Sequence, residues 1–177
     1  MGLWADWQAT RAQRHRVEMY LNYLLREPDD EAMGWLFALA PDMATARREF
    51  HFARRAIGLI VAERDALDDR THADVTHQLA PVLAAEARRA PADGLAWNER
   101  WRAYTAALAV RGSVDSPATR LARVMLSAAG VEHPDPAGLP RATQFVQETR
   151  AAMNEALRHA FGAASLPEDV RPSALRG

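Results

Sequence analysis

MATARREFHFARRAIGLIVAERDAL, residues 43–67, is the stretch whose reading decides the fold. It opens with charge, Arg47, Arg48, Glu49, Arg54 and Arg55 interleaved with Phe50, His51 and Phe52. It then turns apolar on every side from Ala56 to Ala62. Phe50, Ala53, Ile57, Ile60 and Leu67 fall on one helical stripe, and Phe52, Ala56 and Leu59 widen it to a second side. A helix that starts amphipathic and becomes apolar all round is covered by neighbours in its second half. The stretch is therefore read as a central helix, with Asp42 as its N-cap.

Helical patterns continue in both directions. Upstream, Leu3 to Glu27 reads as a first helix, led by Trp4 and Trp7 and finished by Val17, Tyr20, Leu21, Leu24 and Leu25. Pro28, Asp29 and Asp30 stop it, and a short apolar helix follows, with Met33, Trp35, Leu36 and Phe37 before Pro41. Downstream, Thr71 and Asp74 have the spacing of a capping box for a fourth helix, in which Pro81 predicts a kink or break. Trp97, Trp101, Tyr104 and Leu108 share one face of a fifth helix, started by Asp93 or Gly94 and ended by Gly112. Ser116 and Pro117 are a good cap and first residue for a sixth helix, ended by Gly130. A proline-rich loop from Val131 to Pro140 leads to a last helix, about Arg141 to Phe161.

No segment alternates in the manner of a strand. The expectation is an all-α, single-domain bundle of six or seven helices over residues 1–161, followed by a flexible tail over 162–177. A chain of 177 residues can bury about 70% of the surface its unfolded form exposes, enough for one core. With 49% apolar and 25% charged residues the composition is that of an ordinary soluble domain.

Net charge is −1, which argues against nucleic acid as the general partner and against an anionic membrane surface. The longest apolar run is far short of the ~20 residues a membrane-spanning helix needs. The N-terminal stretch has no continuous apolar core of the secretory kind, so the expected location is cytoplasmic. There is no Cys, which removes thiolate catalysis and Cys-based zinc sites, and no Lys, which removes Schiff-base chemistry. Every Gly is isolated, so no glycine-rich phosphate cradle exists, and neither G-x-S-x-G, H-E-x-x-H nor a Glu-x-x-His pair occurs.

Three sets of residues remain as candidate sites. Glu63, Asp68, Asp69, His72 and His77 cluster where the third helix meets the fourth, and carboxylates with imidazoles are competent metal or acid/base groups. Set against this, Asp at a helix start is what capping alone predicts. Arg47, Arg48, His51, Arg54 and Arg55 form a basic stripe suited to phosphate or carboxylate, or else a charged face paired with nearby acids. Trp4, Trp7, Trp97, Trp101 and Tyr104 are aromatic enough for an interface, although such stripes at helical spacing are more often core.

The leading expectation is thus a non-enzymatic protein that binds another protein, including a copy of itself. A metal- or small-molecule-binding enzyme built on the Asp/His cluster comes second, and a nucleic-acid accessory subunit using the Arg face third. The identity of any cofactor is left open.

Overall fold

The computed structural model describes residues 3–27, 30–65 and 69–161. Among these residues there are seven helices and no strand: α1 (Leu3–Leu25), α2 (Asp30–Phe37), α3 (Met43–Asp65), α4 (Asp69–Arg89), α5 (Pro91–Ala109), α6 (Pro117–Ala128) and α7 (Gly138–Phe161). None of them is long and apolar enough to cross a membrane. The expected tail, the stop signal at residues 28–29, and Leu67 and Asp68 all lie outside the described residues.

α3 is the hub. It packs against all six other helices, which no other helix does. The reason is the pattern from Ala56 to Ala62, where every residue is buried and no face is left for solvent. Its start is fixed by Asp42, whose carboxylate accepts from the amides of Thr45 (2.9 Å) and Ala44 (3.2 Å). The Thr45 side chain first, and then those two amides, hold the Asp42 carboxyl below its ordinary range.

Gly58 lies where α1 and α7 come close to α3. A Cβ there would stand 2.3 Å from Leu24 Cδ1 on α1 and 3.3 Å from Met153 Sδ on α7. Only a residue without a side chain lets both helices approach α3 at that level. Tyr20 uses the approach, its buried hydroxyl donating to the Gly58 carbonyl at 2.7 Å.

Several boundaries differ from the sequence expectation. α4 runs continuously through Pro81. Pro81 is exposed while Val75 and Leu79 are buried, so the helix gives up one backbone bond but keeps its core face. α4 also begins at Asp69, which places Thr71 inside the helix instead of at its cap. α5 begins at Pro91, earlier than Asp93 or Gly94, because proline suits the first helical position.

α7 begins at Gly138, three residues ahead of Arg141. Asp135 caps it, its Oδ1 accepting from Gly138 (2.6 Å) and Ala137 (3.1 Å). Pro140 sits in the first turn, where a missing N–H has no carbonyl to reach in any case. The cap Ser116 and the closing Gly130 of α6 are as read from sequence; the Ser116 hydroxyl accepts from Thr119 at 3.1 Å, and Gly130 takes φ +81°.

Candidate functional site

Among the described residues the carboxylate and imidazole set does not come together. Glu63 and His77 are exposed, His72 is half-buried, Asp68 lies outside the described residues, and of Asp69 only the backbone is described. No three His, Asp or Glu side chains among the described residues converge as metal ligands. Asp74, beside this set, accepts from Gln13 of α1 at 3.1 Å and so helps tie α1 to α4.

The arginine stripe is dispersed by its own helix. α3 is surrounded, so guanidiniums that look adjacent along the sequence reach different neighbours. Arg47 pairs with Asp30 at the start of α2. Arg54 donates to the carbonyls of Arg26 (2.7 Å) and Tyr23 (2.9 Å), holding the C-terminal end of α1 and lying over the Tyr23 ring. Arg55 makes a two-pronged pair with Glu86 of α4 (2.6 and 2.9 Å), the geometry for which the guanidinium fork is suited. His51 is half-buried beside these charges. Burial first, then Arg55, with Arg54 and Arg47 adding and Glu27 opposing, pushes its imidazole below the ordinary value.

Arg48 belongs to a network that the sequence reading did not single out. Glu49 is 0% exposed, a carboxylate inside the core. Arg100 of α5 donates to it at 2.9 Å, and Arg48 lies 3.5 Å from its other oxygen and 3.6 Å from Asp93. Burial raises the Glu49 carboxyl above its usual range, and the two guanidiniums offset part of that rise. Tyr104 lies within reach of the same charge. Its hydroxyl is buried with no hydrogen-bond partner among the described residues, and burial followed by the Glu49 charge pushes its titration up. The signal for Glu49 was present in the pattern, since it stands between Arg48 and Phe50 on a helix whose neighbours cover it.

The aromatic set divides in two. Trp97 and Tyr104 are core residues, which corrects the expectation that they form an interface. Trp97 meets Phe52 edge-on at 5.5 Å and stacks on the half-buried Trp101 at 6.1 Å. They are buried because α5 lays this stripe onto α3. Trp4 and Trp7 are the opposite case. They are 70% and 56% exposed, with ring centroids 6.1 Å apart. The Arg11 guanidinium lies 5.4 Å over the Trp7 ring.

Two further concave features lie between the helices. A groove lined by Leu83, Ala87 and Trp97 runs between α4 and α5, closed at one side by the Arg55–Glu86 pair. A second pocket, of about 280 Å³, opens between α3, α6 and α7, with Ile57, Ile60 and Leu121 among its walls. Compared with protein-family models, with curated proteins and with solved structures, the chain matches none.

Proposed function

We propose that the protein is a non-enzymatic interaction protein that pairs with a second copy of itself through the N-terminal half of α1. The observation that carries this reading is the exposure of Trp4 and Trp7, two large aromatic side chains that the bundle leaves uncovered. Tryptophan and arginine are the side chains that dominate the energetics of protein contacts.

The spacing along α1 gives the contact its form. Trp4, Trp7, Arg11, Arg14, Glu18, Leu21 and Leu25 recur at alternating intervals of three and four, the period of a helix that packs along one seam. Leu21 is buried and Leu25 half-buried, so the C-terminal half of the seam is spent within the bundle. The N-terminal half is exposed at every seam position. In an antiparallel pairing of two such halves, Trp7 opposes Arg11 of the partner subunit and Trp4 opposes Arg14 of the partner subunit. Each contact then sets a guanidinium against an indole, worth about 0.5–2 kcal/mol depending on how dry it is. The two-fold arrangement closes on itself and needs only one patch. The reading includes a cytoplasmic location.

Sedimentation velocity on the full chain tests the reading. The expected result is a dimer at micromolar concentration that becomes a monomer when Trp4 and Trp7 are both changed to Ala. Because both side chains are exposed, the helical circular-dichroism signal stays unchanged in that variant. A wild-type chain that remains monomeric at about 100 μM, weaker than specific assembly requires, sinks the proposal.

A further inference from the structure

The pocket between α3, α6 and α7 has two chemically distinct ends. Its inner wall is aliphatic, formed by Ile57, Ile60, Leu121 and Val146. Its rim carries two guanidiniums, Arg64 and Arg150, against a single carboxylate, Asp65. The Arg150–Asp65 separation is 3.7 Å, longer than a hydrogen bond, so that carboxylate is only loosely engaged. Arg64 has neither an ion pair nor a hydrogen bond among the described residues. This contrasts with the other α3 arginines, each of which is tied to a neighbouring helix.

α6 adds to the positive end. Its N-terminal residues Ser116, Pro117 and Ala118 all line the pocket. Ser116 already satisfies the amide of Thr119, and Pro117 has no N–H. The first helical amide, that of Ala118, therefore remains at the positive end of the helix dipole. Arg120 fixes this end in place, donating to the Ala107 and Asp115 carbonyls at 2.6 Å each across the α5–α6 connection.

We propose that this pocket binds an aliphatic monocarboxylate of medium chain length, with the chain against Ile60 and Leu121 and the carboxylate at Arg64. The inference is independent of self-association through α1. Charge and size both select this occupant. An unpaired guanidinium at the mouth of an apolar cavity favours an anion with a hydrocarbon tail over a neutral molecule or a fully polar anion. A volume near 280 Å³ falls just below the usual range for drug-sized ligands, which suits a chain of about eight carbons and not a long one. Asp65 on the rim disfavours a second negative charge and so selects a monoanion over a phosphate ester.

The test is calorimetric titration of the full chain with octanoate and, separately, with 1-octanol. Octanoate is expected to bind one per chain, about tenfold or more tighter than octanol, since a charge-assisted pair contributes that much. Arg64→Gln brings octanoate down to the octanol level and leaves thermal stability unchanged, because Arg64 holds no other group among the described residues. Ala118→Trp, which fills the cavity, abolishes both, and the Arg64 variant decides the matter if that chain folds poorly. Equal affinities for octanoate and octanol, an unaffected Arg64→Gln variant, or no saturation by about 1 mM overturns the proposal.

Discussion

Glu49 sets the energetics at the scale of single residues. A carboxylate with no exposure is tolerable only while its partners stay in place, and Arg100 is the nearer of the two. Arg100→Met is expected to lower unfolding free energy by about 3 kcal/mol, because it leaves a charge buried and poorly paired. Adding Glu49→Leu should recover most of that loss, since an apolar pair of similar volume needs no compensation. Urea denaturation of the three chains measures both effects, and a double variant no better than the single one contradicts the account. His51 supplies a pH dependence. Its folded-state value lies below the ordinary one, so the unfolded chain takes up a proton near pH 6.5 that the folded chain resists. Its contribution is complete above that pH and is lost as the pH falls through the folded-state value. His51→Gln should flatten the wild-type decline in stability between about pH 7 and pH 5, and an unchanged slope would assign the decline to other groups.

At the scale of elements, α4 carries a proline in its interior, where the backbone ladder lacks one donor. Pro81 occupies an exposed interior position where a proline costs up to about 3 kcal/mol relative to alanine. Pro81→Ala is expected to raise stability by about 1–3 kcal/mol, visible as a higher urea midpoint with the same slope. A neutral or negative result would mean that the local geometry already accommodates the ring. The same helix shows why reading boundaries from sequence falls short. Proline predicts a break from local chemistry alone, whereas Val75 and Leu79 hold the helix together through contacts with other elements. Asp135 teaches the converse lesson. A cap followed by Pro136 resembles loop composition until the two amides it receives are seen. The helices, their order and the centrality of α3 were legible because apolar periodicity is a long-range average that survives local exceptions.

For the molecule as a whole, the candidate sites were less legible than the bundle. Periodicity along one helix shows which residues share a face but not which neighbour covers it. Arg47, Arg48, Arg54 and Arg55 share a stripe and end on four different helices, while Arg64 and Arg150, far apart in sequence, rim one pocket. The hub arrangement predicts an uneven distribution of protection. Backbone amides from Ala56 to Ala62 should exchange with solvent only through global unfolding, whereas those of the exposed turns of α1 around Trp4 and Trp7 should exchange orders of magnitude faster. Hydrogen exchange read by mass spectrometry checks this, and comparable rates in the two segments would remove α3 from its central place. The Tyr20–Gly58 hydrogen bond has one more consequence, a mechanical one. It crosses from α1 to α3 at Gly58, with Leu24 wedged against the same glycine one turn further on. A tensile load applied at the start of α1 meets the Gln13–Asp74 tie to α4 first, and the buried Tyr20–Gly58 bond two turns later. The turns that carry Trp4 and Trp7 can thus be pulled as a lever arm, while the Gln13 tie and the bolt at Gly58 keep the load from the core.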